Sequence, residues 1–300
     1  MVSTLQHLIT PLTEAEILAH FRERTVAFVR TSEPRRFETL LDWDELNDLV
    51  ASGLYPAEEL RLRALMPIPT SLYIAQGRLD RAALASLLER GAQLIFNRLD
   101  RYVPRLFRLC HQIAEQTGEQ VTADAIVMSG VEGARSHVDT EDACVLQIAG
   151  SNRWKLRSAS TVNPPDDTSV PPPPQSAPFF DETLGAGDFL FVPAGCSHRC
   201  ECGTGRSLHV RIVLQPPAGR DVVTWLVSRL ATDETFNGPL TRYADANASA
   251  SHEAALKARL IEQVQAWSIA DFLAERAAAR ANEGVVRIQG TQDAAASAGL

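Results

Sequence analysis

The chain is poor in the features that take a protein to or across a membrane. No apolar run in its 300 residues approaches the ~18 consecutive residues that a spanning helix requires. Its first residues, Met-Val-Ser-Thr-Leu-Gln-His, offer neither the basic stretch nor the apolar stretch of an export signal, so a cytoplasmic protein is expected. Positive charge is in deficit. Lys and Arg number 29 against 37 Asp and Glu, a net charge of −8, which argues against a general nucleic-acid binder but leaves a basic peptide open as a partner. Cysteine is sparse too. Cys110, Cys144, Cys196, Cys200 and Cys202 are odd in number and read as reduced thiols, not as a disulfide framework. Three of them crowd His198, yet their C-x3-C-x-C spacing lacks the paired C-x2-C ends of a zinc ribbon.

What is present is ordinary globular material, 45% apolar and 22% charged, in a chain long enough to bury a large core. Residues 1–120 mix helices and strands. Thr13 with Glu16 forms a capping box opening a helix to about residue 23, and Val26–Val29 is a short strand. Asp42 opens a second helix that Gly53 stops. Arg61 to Ile74 reads as broken strands, Asp80 to Arg90 as an amphipathic helix, Ala92 to Phe96 as a strand and Pro104 to Thr117 as a helix. From Val121 the period becomes two. Val121–Met128, Ala143–Ala149, Arg153–Leu156, Phe189–Val192 and Leu208–Leu214 read as strands separated by Gly and Pro, the pattern of a sandwich or barrel over residues 121–216. Residues 158–182, with Asn163-Pro-Pro-Asp-Asp and Pro171–Pro174, read as an irregular Pro-rich loop, either a cover for a site or a surface excursion. Residues 217–285 return to a helical pattern, with Asp221–Ala231, Ser251–Trp267 and Asp271–Ala281 as helices. Residues 286–300 read as a tail.

Chemistry concentrates in two segments. His137-Val-Asp139 places an imidazole and a carboxylate two residues apart, hence on one face of a strand. Taken alone the pair also fits a surface strand with scattered polar residues. A second histidine, His198, ends Gly187-Asp-Phe-Leu-Phe-Val-Pro-Ala-Gly-Cys-Ser-His198. Two histidines and one carboxylate bound to one face of a metal leave its other positions open, which is the ligand set of a mononuclear non-haem Fe(II) oxygenase.

These segments resemble the JmjC-type cupin oxygenases, in particular the subgroup that includes the ribosomal-protein hydroxylases. The likeness rests on His137-Val-Asp139, Val145-Leu-Gln147, Gly150 and Arg153-Trp154, then Gly187-Asp188, Pro193-Ala-Gly195 and His198, then Ser207-Leu208-His209. It implies a double-stranded β-helix (jelly-roll) core with N-terminal α/β elements and a C-terminal helical segment. It also implies Fe(II) on His137, Asp139 and His198, 2-oxoglutarate as co-substrate with O2, hydroxylation of a side chain in a protein or peptide, and a homodimer through the C-terminal helices. Those helices equally permit packing back onto their own chain. A ribosomal protein and a small natural-product precursor peptide are both candidate substrates.

The sequence departs from the family in one place. Fifteen residues after His137, where relatives place Lys or Arg for the distal carboxylate of 2-oxoglutarate, stands Asn152. Alternation with Trp154 and Leu156 points it inward, but it carries no charge. Arg211, on the face shared with His209, is the expected replacement, unless that face is solvated or Arg211 pairs with an acid. Gln147, Arg135 and Ser136 are further candidates for co-substrate or substrate contact. A metal-dependent cupin that does not use 2-oxoglutarate and a non-catalytic peptide-binding cupin are the competing readings.

Overall fold

The period of two that begins near Val121 is realised as strands whose opposite faces bury different partners. The computed structural model describes residues 5–64, 67–130, 136–158, 177–203, 205–240 and 245–282. The chain divides into two units, Met1–Pro216 and Pro217–Leu300.

In the first unit the helices are α1 (Leu5–Ile9), α2 (Glu14–Glu23), α3 (Trp43–Ser52), α4 (Arg81–Glu89) and α5 (Pro104–Thr117). Their ends follow from side-chain chemistry. Thr13 and Glu16 complete the capping box of α2, the carboxylates of Asp42 and Asp80 accept the first N–H groups of α3 and α4, and Gly53 closes α3 in the left-handed conformation. The strands are β1 (Ala27–Val29), β2 (Leu60–Arg63), β3 (Pro67–Ile68), β4 (Ile74–Ala75), β5 (Arg78–Leu79), β6 (Gln93–Phe96), β7 (Gln120–Ser129), β8 (His137–Val138), β9 (Asp142–Ala149), β10 (Ser151–Arg157), β11 (Phe180–Gly185), β12 (Phe189–Val192), β13 (Ser197–Cys202) and β14 (Arg206–Gln215). One sheet runs β1-β12-β9-β14-β7-β6-β2-β3 and a second runs β11-β10-β13-β8, with antiparallel pairing throughout. Together they form a jelly-roll core.

The outer face of the large sheet carries Phe96, Ala125, Cys144, Leu146, Phe191 and Ile212 into one core with Leu5, Ile17, Leu106 and Ile113 of the helices. Each such side chain, fully buried, contributes roughly 1.5–3 kcal/mol, so this face stabilises the scaffold and carries no chemistry. The inner face, with Ile126, Val145 and Leu190, packs on Trp154, Leu156 and Leu184 of the small sheet. The site opens from this inner layer.

Two strands escape sequence reasoning. β13 has no apolar alternation, because its inward positions are His198, Cys200 and Cys202, buried while Arg199 and Glu201 stay partly exposed. β11 is an edge strand with Asp181, Glu182 and Thr183 exposed, so the end of the expected 158–182 loop is ordered β-structure paired with β10. Residues 159–176 of that loop, Arg135 and the 286–300 tail lie outside the described residues. The motif glycines have a steric reason. A Cβ on Gly150 would stand 2.3 Å from the Arg206 carbonyl oxygen, and one on Gly187 would stand 2.4 Å from that of Glu33; both residues have positive φ.

The second unit holds α6 (Gly219–Leu230), α7 (Glu234–Asn237), α8 (Ala246–Ala266) and α9 (Ile269–Asn282). Trp225 of α6 sits edge-on to Trp267 and to Phe272 of α9, ring centroids 6.1 and 5.6 Å apart, and its Nε1–H donates to Glu275 at 2.7 Å. Val223, Val227, Leu260, Ile261 and Val264 remain exposed. Among the described residues no helix is long and apolar enough to cross a membrane.

Candidate metal centre

Antiparallel pairing of β8 with β13 sets His137 opposite His198, and their rings lie 4.3 Å apart between centroids. Asp139 follows β8 directly. Its carbonyl oxygen accepts the N–H of Gly195 at 2.9 Å, and the Asp142 carboxylate accepts that of Ala194 at 2.6 Å, so the Pro193-Ala-Gly195 turn is tied to the segment after β8. Asp188 of the same motif is buried and accepts from Thr31 N–H and Gly185 N–H, both at 2.9 Å, a structural role.

Asp139 Oδ1 is 3.7 Å from His137 Nε2, and Oδ2 is 3.7 Å from His198 Nε2. One ligand atom from each of the three lies within 4.8 Å of the others. His198 Nδ1 is 3.0 Å from the Cys196 carbonyl oxygen. A carbonyl only accepts, so Nδ1 carries a proton, which leaves Nε2, on the side of the carboxylate, as the nitrogen that could bind a metal. Two imidazoles and one carboxylate fit a divalent first-row metal with open positions. No cysteine enters the cluster. Burial raises the Cys200 thiol well above its ordinary range and the Cys196 thiol to about 11, which keeps both protonated.

The electrostatics favour a cation. Burial alone raises the Asp139 carboxyl, but Arg211, His198, His137 and Arg63 outweigh it and bring its pKa down to about 2. Arg211 Nη1 donates to Asp139 Oδ2 at 2.8 Å and Nη2 donates to Asp124 Oδ2 at 2.8 Å. Asp124 is held in turn by the backbone N–H of Arg98 on Oδ1 at 3.0 Å. Sequence reasoning expects the Arg211 guanidinium to face an open pocket as a counter-ion; the structure has both terminal nitrogens on carboxylates. Its Nε is buried without a partner among the described residues. Asp124 and Arg211 are direct partners across β7 and β14. The signal that Asp124 matters is an acid at an inward position of an otherwise apolar strand. Arg63, at the end of β2, is half-buried and has no hydrogen-bond partner among the described residues.

Asn152, where the resemblance implies a cation, is fully buried, on the inner face with Trp154 and Leu156. Its Oδ1 accepts from Ser207 Oγ at 2.7 Å. Its Nδ2 donates to Gln147 Oε1 at 3.2 Å and to His209 Nδ1 at 3.0 Å. Gln147 Nε2 donates to the carbonyl oxygens of Ala149 and Leu208. Burial and then Arg211 depress the pKa of His209 to about 3, so the ring is neutral and accepts the Asn152 hydrogen bond. Trp154 stacks on His198 with centroids 5.9 Å apart and stands edge-on to His209 at 5.7 Å, while its Nε1 is a buried donor without a partner among the described residues. Ser136 Oγ lies 3.4 Å from Ser197 Oγ and from the His198 carbonyl oxygen, beside the centre.

A family model described as JmjC domain matches residues 98–222. The chain is similar to ribosomal oxygenase 2 of Rattus norvegicus, 24% identical over 218 residues that cover 70% of this chain and 47% of the relative. It is similar also to the bifunctional lysine-specific demethylase and histidyl-hydroxylase NO66 of Drosophila mojavensis, 24% identical over 69% of this chain and 24% of the relative. The chain thus spans about half the length, or less, of these curated relatives. Among solved structures, YcfD, a ribosomal oxygenase from Escherichia coli in complex with cobalt and 2-oxoglutarate, superposes with a TM-score of 0.55 at 15% identity, over 85% of this chain and 67% of that one.

Proposed function

We propose that this chain, whose residues 98–222 match a JmjC-domain model, is an Fe(II)- and 2-oxoglutarate-dependent dioxygenase of the ribosomal-oxygenase-like kind that hydroxylates a side chain in a protein or peptide. The observation that carries the reading is the His137–Asp139–His198 donor set, its carboxylate ionised and the His198 imidazole presenting Nε2 to it. His137, Asp139 and His198 would hold Fe(II). When bound, Fe(II) with 2-oxoglutarate and O2 supplies the oxidising power that turns a substrate C–H into C–OH, with succinate and CO2 as co-products. The protein's share is to orient and to exclude water. Trp154 walls the centre against His198 and keeps that side dry.

For the distal carboxylate we assign the wall of Arg211, Asn152 and Gln147. Among the described residues Arg211 Nε and Trp154 Nε1 are buried donors without a partner, and Arg63 is a further cation whose field reaches Asp139. Asn152 and Gln147, with their amides occupied, shape this wall without supplying charge. A second reading, a metal-dependent cupin oxygenase that does not use 2-oxoglutarate, is favoured by one observation, the pairing of both Arg211 terminal nitrogens with carboxylates.

The partner is a protein or peptide, a ribosomal protein or a small precursor peptide, which the names of the relatives and the net charge of −8 support over nucleic acid. Five buried free thiols suit a cytoplasmic location. The exposed stripe of Val223, Val227, Leu260, Ile261 and Val264 suits a homodimer through the C-terminal unit, and Val227→Asp with Ile261→Asp is expected to convert a sedimenting dimer to a monomer. The deciding assay is succinate formation with Fe(II), 2-oxoglutarate and O2 across ribosomal-protein and precursor peptides. Oxygen consumption that is independent of 2-oxoglutarate selects the second reading, and no turnover with any peptide above the Asp139→Ala background overturns both.

A further inference from the structure

The role of Arg211 is drawn by its contacts. A carboxylate that binds a metal through one oxygen leaves a second oxygen that is free to swing onto the same metal or away from it. Here Asp139 has its two oxygens facing different neighbours. Oδ1 is on the His137 side, 3.7 Å from Nε2, and Oδ2, which lies 3.7 Å from His198 Nε2, receives Arg211 Nη1 at 2.8 Å. The guanidinium is itself immobilised, because Nη2 donates to Asp124 at 2.8 Å and Asp124 is anchored by the backbone N–H of Arg98 at 3.0 Å. The chain of contacts thus runs from a backbone amide through Asp124 and Arg211 to Asp139. β7 and β14 hold Asp124 opposite Arg211 by sheet register, so the arrangement does not depend on a loop. A planar fork with two carboxylates on separate nitrogens fixes direction as well as charge, which a Lys does not.

We propose that Arg211 is a positioning residue for the metal centre: backed by Asp124, it holds Asp139 Oδ2 and so restricts Asp139 to one-oxygen ligation through Oδ1. This rests on the reading of His137, Asp139 and His198 as a metal site. The cluster therefore carries its own outer layer, Asp124 on the strand before His137 and Arg211 on the strand after His198. The outer partners of metal ligands characteristically govern metal affinity by 10- to 100-fold.

The test is Co(II) binding to the full-length protein by calorimetry, in the absence of 2-oxoglutarate and peptide, together with the visible absorption of the bound Co(II). Arg211→Ala is expected to lower Co(II) affinity 10- to 100-fold and to change the Co(II) band intensity, since the freed carboxylate can bind through both oxygens. Arg211→Lys is expected to recover part of the affinity, one ammonium reaching one carboxylate. Asp124→Asn keeps its shape and an acceptor oxygen, so it is expected to lose only several-fold. If Arg211→Ala fails to fold, Arg211→Lys and Asp124→Asn carry the test by the same readouts. Parental Co(II) affinity and spectrum in Arg211→Ala, or in both of the milder variants, overturn the positioning role, whatever happens to 2-oxoglutarate binding. Failure of the parent protein itself to bind Co(II) overturns the metal-site reading instead.

Discussion

The charged cluster of Asp139, Arg211 and Asp124 and the neutral cluster of Gln147, Asn152, Ser207 and His209 meet on β14, where Arg211 and His209 stand two residues apart on one face. In the first, every contact is between opposite charges, and a metal would add to the positive side of an ionised carboxylate. In the second, no group is charged, and Asn152 is saturated by three partners. Proximity makes the contrast necessary. A second cation at Asn152, which touches His209 of the facing sheet, would come near the guanidinium two positions further along β14, and a buried unpaired charge costs several kcal/mol. The lesson is that the two corners are specialised by charge: the guanidinium of Arg211 stands between two carboxylates, and Asn152 belongs to a closed, uncharged hydrogen-bonded set.

Removing the ligands breaks the charged side outright. His137→Ala, Asp139→Ala and His198→Ala are each expected to abolish turnover and stoichiometric Fe(II) binding; His137→Ala is expected to melt close to the parent, and Asp139→Ala to melt lower because Arg211 Nη1 loses its carboxylate. Full activity in any one of them would sink the assignment. The neutral side fails differently. Asn152→Ala leaves Ser207, Gln147 and His209 each short of a buried partner, so urea titration is expected to show a loss of about 2–4 kcal/mol, roughly 1 kcal/mol or more for each orphaned group. A loss under ~0.5 kcal/mol means the set is not closed as described.

The pH dependence sharpens the comparison further. The folded pKa of His209, about 3, lies below the ~6.5 of a free imidazole, so between these values the unfolded chain binds a proton that the folded chain refuses. Stability from this group is complete above pH ~6.5 and falls as pH drops towards 3, by an amount on the order of a few kcal/mol. His209→Gln, which can still accept from Asn152, is expected to flatten the stability profile across pH 4–6.5; an unchanged profile removes His209 as its source. The smallest effect belongs to the outer face of the same hairpin. Arg153 pairs with Asp181 at 2.6 Å in solvent, so Arg153→Ala is expected to leave the urea midpoint unmoved, in contrast to its neighbour Asn152.

The convergence of His137, Asp139 and His198 was readable because its information is short-range. His137 and Asp139 are related by the two-residue repeat of extended chain, and His198 stands at a fixed distance from the Gly187-Asp188 and Pro193-Ala-Gly195 turns. The same repeat turned Asn152, Trp154 and Leu156 inward, as their burial shows. Helix ends were equally local, since the capping groups Thr13, Asp42 and Asp80 lie within three residues of the N–H groups they accept. β13 was hidden because histidine and cysteine, not aliphatic residues, occupy its inward positions.

What only tertiary structure decided is which charges and dipoles meet. Sequence alternation put Arg211 on the inner face, but Asp124, 87 residues earlier, becomes its partner solely through the register of β7 against β14. Asp139, 72 residues earlier, reaches it because β8 is paired to the small sheet that closes over the large one. Likewise the three partners of Asn152 come from two other strands. A residue's period selects its face within a strand and is legible along the chain. Its partner across the sheet depends on register, which is set by the packing of both faces at once and is written in no single segment.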